Sequence, residues 1–118
     1  MMPADPRSQS QQYRFGQMPK VVDHAHVTGH LPPTYDVCNE STATRVLHKW
    51  TTQCLKLTEA DVRNEVLWVN PPYTGWRKFF EHLKKVKAMF WLCLPRFFFT
   101  ENPEYMAGAK TFRDFDAG

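Results

Sequence analysis

The residues best suited to chemistry are Asn70-Pro71-Pro72-Tyr73, placed directly after the apolar run Val66-Leu67-Trp68-Val69 and directly before an amphipathic, basic segment. Two consecutive prolines fix φ and remove two backbone N–H donors, so the carbonyls here meet no competing neighbour. Asn70 adds a side-chain carbonyl oxygen, and Tyr73 adds an aromatic face. The result is a rigid acceptor surface that suits an amine carried on a flat ring. The same four residues also suit a stiff turn or a polyproline-like ligand segment, so the surrounding elements decide between them. A second constellation is Asp23-His24-Ala25-His26 with His30. On a strand, His24 and His26 point the same way, as metal ligands of a hydrolase do. No second cluster of His, Asp and Glu completes a coordination shell, and no metal is expected.

The elements that must position the tetrapeptide follow from hydrophobic periodicity. Val66 to Val69 reads as the core of a strand beginning at Glu65, and Thr58-Glu59-Ala60-Asp61 before it fits a capping box with a short turn of helix. After Tyr73, Thr74 can cap a helix in which Trp76, Phe79, Phe80, Leu83 and Val86 form one stripe that ends at Lys87. Ala88 to Leu94 is a continuous apolar run, the pattern of a strand buried on both faces of a parallel sheet. Strand, helix and strand make a βαβ unit. Upstream, Val21-Val22 reads as a short strand and Thr34 to Cys38 as a better one. Ala43, Val46, Leu47 and Trp50 fall at helical spacing, with Ser41 or Thr42 as N-cap. Downstream, Phe97-Phe98-Phe99 needs covering, and a turn at Glu101-Asn102-Pro103-Glu104 leads into a short helix from Tyr105 to Ala109. Trp68, Trp76 and Trp91 belong to the core.

Composition narrows the class. In 118 residues there is room for one small domain, and 42% hydrophobic with 14% aromatic residues is a globular balance. Residues 1 to 19, rich in Gln, Ser, Pro and Arg, read as a flexible leader, and residues 20 to 118 as the folded domain. A formal charge of +3 permits nucleic-acid contact without demanding it. Arg77, Lys78, Lys84, Lys85 and Lys87 against a lone Glu81 can track a phosphate backbone. They equally describe a solvated helix face. Cys38, Cys54 and Cys93 are odd in number and lack CxxC spacing, which points to free thiols in a reducing compartment. No apolar run is long enough to cross a bilayer, and no signal peptide is evident, so a soluble intracellular protein is expected.

Taken together, Tyr35-Asp36-Val37-Cys38, the stretch from Val66 to Tyr73, and Leu92-Cys93-Leu94-Pro95 resemble the phage-type DNA N6-adenine methyltransferases, relatives of which occur inside some eukaryotic retrotransposons. The tetrapeptide matches motif IV of amino-methyltransferases, which reads Asp, Asn or Ser, then Pro-Pro, then an aromatic residue. The resemblance covers roughly residues 31 to 108, and the tetrapeptide is its specific part. It implies a small or incomplete Rossmann-like class I methyltransferase fold with a mainly parallel sheet. It also implies S-adenosylmethionine as methyl donor and a flipped adenine of DNA as substrate. On this resemblance Asn70, Pro71, Pro72 and Tyr73 form the catalytic motif and Asp36 meets part of the cofactor, though as a residue Asp36 equally suits capping the helix that follows; nucleic-acid contact by Arg77, Lys78 and Lys84 rests on the basic helix face alone. The chain departs from the family in having no Phe-x-Gly-x-Gly after an early strand. Its five glycines, Gly16, Gly29, Gly75, Gly108 and Gly118, are scattered. A truncated or mobile-element-derived copy, acting as a non-catalytic interaction module on the same fold, is therefore the alternative.

Overall fold

The computed structural model describes residues 19–38, 47, 49–71 and 75–111. A four-stranded sheet runs through it, made of β1 (Tyr35–Asp36), β2 (Lys49–Trp50), β3 (Val66–Val69) and β4 (Met89–Leu92) in the order β2-β1-β3-β4. All three pairings are parallel. Parallel strands need crossovers that lay helices on the faces, which is why β3 is apolar at every position and buried at all four.

Helices cover both faces. On one lies α1 (residues 19–28), whose buried Val21 packs with Trp68, Cys93 and the half-buried Trp91. On the other lie the 3₁₀ turn Cys54–Lys56, α2 (Glu59–Val62) and α3 (Trp76–Lys85). Their Cys54, Leu57, Val62, Leu83 and Val86 pack with Tyr35, Val37, Leu67 and Val69. The period-two alternation of β3 thus sends Leu67 and Val69 to one layer and Trp68 to the other. Helix α4 (Arg96–Glu101) and the 3₁₀ turn Pro103–Met106 return onto α3, where Trp76 meets Phe98 and Tyr105 edge-on at 5.6 and 4.8 Å.

Local chemistry sets the boundaries. Thr58 caps α2 with the full reciprocal box: its hydroxyl accepts from the Asp61 N–H at 3.3 Å, and the Asp61 carboxylate accepts from the Thr58 N–H at 2.8 Å. Helix α3 ends in a Schellman motif, in which Lys87 N–H donates to Lys84 O at 3.1 Å and Ala88 N–H to Leu83 O at 2.9 Å. Lys87 takes the left-handed conformation there, with φ 60°.

Several expectations from sequence are corrected. Val21-Val22 lies in α1 rather than in a strand, because Val21 and Ala25, both buried, are one helical turn apart. Lys49–Trp50 is a strand paired with β1, not the end of a helix, and the remainder of that proposed helix, residues 41–46 and 48, lies outside the described residues. The N-cap of α3 is Gly75 at φ 79°, while Thr74 lies outside the described residues. Phe97-Phe98-Phe99 is part of α4, and the following short helix starts at Pro103 rather than Tyr105. Finally, β4 is not buried on both faces. It is an edge strand with Met89 52% exposed, because no further strand among the described residues flanks it.

Candidate functional site

The strand order places a topological switch point between β1 and β3. From β1 the chain moves outward to β2, and from β3 it moves the opposite way to β4. Connections leaving two neighbouring strands in opposite directions open a crevice at their carboxyl ends, where ligands of open α/β sheets bind. Asp36 is the last residue of β1, and Asn70 immediately follows β3. The ladder continues past Asp36 of β1 and past Leu92 of β4, with Val37 N–H donating to Trp68 O at 3.2 Å and Cys93 N–H to Val69 O at 2.8 Å. Extending this register sets Asn70 between Cys38 on the β1 side and Cys93 on the β4 side. Asp36 is 0% exposed and Asn70 3%, while Cys38, Cys93 and Pro71 are also buried. Asp36 Oδ1 accepts from the Cys38 N–H at 3.4 Å in a turn local to the strand end. Of the sequence-predicted catalytic residues, Asn70 and Pro71 therefore lie, like Asp36, at the carboxyl end of a central strand, and all three are buried. Pro72 and Tyr73 lie outside the described residues.

One group at this site carried no signal in the sequence beyond its place in the core. Trp68 is fully buried, and its indole Nε1 has no hydrogen-bond partner. It is the bridge partner of Asp36, so the two side chains leave the sheet on the same face. A buried donor without an acceptor costs about 1–3 kcal/mol. The ring itself is packed against Val21 and Cys93 in the layer under α1.

The predicted phosphate-contacting residues separate. Arg77 donates through Nη2 to the buried Asn102 Oδ1 at 2.7 Å and lies 5.4 Å from the Trp76 ring, so it ties α4 to α3. Asn102 Nδ2 in turn donates to Phe98 O at 2.8 Å. Lys78 is exposed near the start of α3, close to the crevice end of the sheet. Lys84 sits seven residues after Arg77, roughly 10 Å along a helix that runs back toward the amino ends of the strands. It is not part of the same end, and its ammonium lies over the Phe80 ring at 5.6 Å.

The histidines do not assemble a metal site. On a helix, residues two apart point in nearly opposite directions, so the strand-like alternation of His24 and His26 is lost. His24 Nε2 instead lies 3.0 Å from Thr111 Oγ1, and His24 and His30 both pack edge-on against Trp91. Among the described residues, no three of His, Cys, Asp or Glu form a group that could hold a metal ion.

A groove of about 530 Å³ opens at the other end of the sheet, between Leu31, Val62, Glu65, Val86 and Met89. It lies at the amino ends of β3 and β4, away from Asn70. Of its two carboxylates, Glu59 and Glu65, the second is engaged: Glu65 accepts from Thr34 Oγ1 at 2.6 Å and from Lys49 Nζ at 2.7 Å. These contacts, Lys49 first, hold the Glu65 carboxyl below its ordinary value. Glu65 thus clasps the segments of β1, β2 and β3 together at this end of the sheet. No helix among the described residues is long and apolar enough to cross a membrane. No family model matches the chain, and no match to it emerges among curated proteins or solved structures.

Proposed function

We propose that this chain transfers a methyl group from S-adenosylmethionine to an exocyclic amine, N6 of adenine in DNA. The observation that carries the reading is the seat of Asn70-Pro71 at the tip of a buried central parallel strand, at the switch point and beside Asp36. An exocyclic amine on adenine is a poor nucleophile because its lone pair is delocalised into the ring. Two acceptors, the Asn70 side-chain oxygen and the Pro71 carbonyl, take one amine hydrogen each and turn the lone pair toward the reacting carbon. The bound methyl donor supplies a sulfonium-activated methyl group for direct displacement. No base need act first, since the proton leaves a nitrogen already acidified by methylation. Orientation then carries most of the catalysis. Each preorganised polar group is worth about 3 kcal/mol where charge develops, and stacking by Tyr73 about 1–3 kcal/mol. A base within a duplex would have to be flipped out to reach these groups.

Asp36 is the residue assigned to the methyl donor, and Lys78, at the crevice end of α3, is better placed than Lys84 to meet the nucleic-acid backbone. Asn70→Ala tests the assignment. One lost acceptor at about 3 kcal/mol corresponds to a roughly hundredfold slower methyl transfer, with the chain still folded by circular dichroism. An Asn70→Ala chain as active as the wild type would remove Asn70 from the mechanism. A second reading, a non-catalytic interaction module on the same fold, is favoured by the absence of any glycine between His30 and Thr74, where a cofactor loop would need close backbone approach. Saturable binding of S-adenosylmethionine separates the two.

A further inference from the structure

The groove at the amino ends of β3 and β4 lies outside the methyl-transfer reading, and its lining is divided by chemistry. Val62, Val66 and Val86 line it and are buried, which makes an apolar floor. Leu31 and Met89 line it while 62% and 52% exposed, which makes apolar walls open to solvent. Its volume of about 530 Å³ falls within the roughly 300–1,000 Å³ of small-molecule sites. Three exposed charged residues complete the lining, Glu59, Arg63 and Lys87, and among the described residues none of them has an ion-pair partner. With Glu65 taken up by Lys49, two cations face one carboxylate, an excess that a single negative charge neutralises.

Lys87 adds an independent reason to look here. It holds the C′ position of the Schellman motif at φ 60°, where glycine is the usual residue and a Cβ is strained. Strain of this kind gathers at binding sites, where the side chain that causes it is needed. We infer that the groove binds a small molecule made of an apolar body and one carboxylate. The body lies on Val62, Val66 and Val86 between Leu31 and Met89, and the carboxylate meets Arg63 and Lys87. This site is separate from Asn70 and does not depend on methyl transfer.

The test is calorimetric binding of decanoate and of decan-1-ol, its uncharged match, to the full wild-type chain, to Lys87→Gly and to Arg63→Gln. Moving a carboxylate out of water onto an apolar surface is costly unless cations receive it, so decanoate should bind more tightly than the alcohol only if the rim acts as inferred. Each variant should lose about twofold to fivefold in affinity for decanoate, the scale of one exposed ion pair, and keep its affinity for decan-1-ol. Binding of decanoate no tighter than the alcohol, equal loss of both ligands in the variants, or wild-type decanoate affinity in both variants overturns the site. A second measurement uses the unaltered chain, so that a poorly folding variant does not end the test. Added decanoate should shift the backbone amide resonances of Val62, Val66, Lys87 and Met89 most. Shifts centred elsewhere, or none, overturn the site and leave the methyl-transfer reading untouched.

Discussion

The turn that joins α3 to β4 should become more stable when Lys87 is replaced by glycine. Lys87 sits at φ 60°, with its own N–H and that of Ala88 bonded to Lys84 O and Leu83 O. For a residue bearing a Cβ, the left-handed conformation costs about 1–2 kcal/mol. Glycine removes that cost but adds about 0.4–1 kcal/mol of unfolded-state entropy. The Lys87 side chain is exposed, so few contacts are lost. The net gain is about 0.5–1 kcal/mol, which for a domain of this size corresponds to a rise in Tm of roughly 2–6 °C. Urea titrations of wild type, Lys87→Gly and Lys87→Ala would measure it, with the alanine variant close to wild type because it keeps the strained φ. A glycine variant no more stable than the alanine variant would refute the Schellman geometry. The βαβ crossover that sets β4 beside β3 would then need another account.

Three further outcomes follow from side-chain contacts. The Glu65 carboxyl is held down by Lys49 and Thr34, so its contribution is present above the ordinary carboxylate range and is lost as pH falls through the lowered folded value. Lys49 is about half exposed, at 52%, so the screened pair contributes about 0.2–1 kcal/mol, and Glu65→Gln should flatten the acid limb of a stability profile below the ordinary carboxylate range. An unchanged acid limb would contradict the clasp. Arg77→Ala leaves the buried Asn102 Oδ1 without its donor and should cost about 1–3 kcal/mol by urea titration, whereas Lys78→Ala should stay within about 0.5 kcal/mol. On DNA, Lys78→Ala should lower the slope of log affinity against log salt by about 1, and Lys84→Ala should not.

What the sequence disclosed was whatever a short window can encode. Val66 to Val69, the stripe from Trp76 to Val86 and the Thr58 capping box each carry their geometry in adjacent residues, and each forms as expected. Helix α1 escapes the sequence reading because two β-branched valines and alternating histidines imitate a strand, while the helical signal is a single pair, Val21 and Ala25, four positions apart. Strand β2 has two residues, both exposed, and its pairing with β1 comes from a partner fourteen positions away. The exposure of β4 depends on a neighbour that is not there among the described residues, which an apolar run cannot announce. At the strand ends, Asn70, Pro71 and Asp36 stand out in the sequence by residue type alone. That Asp36 and Asn70 end neighbouring strands follows from a parallel register thirty-two positions long.

The central claim is that this crevice presents paired acceptors to an amine while a methyl donor is bound beside them. Its most direct measurement is incubation of the purified chain with S-adenosylmethionine labelled in the methyl group and with separate DNA, RNA and protein pools. The account expects label in DNA, recovered as N6-methyladenine and strongly reduced with Asn70→Ala. Label in none of the pools, together with no saturable binding of the methyl donor, would contradict it.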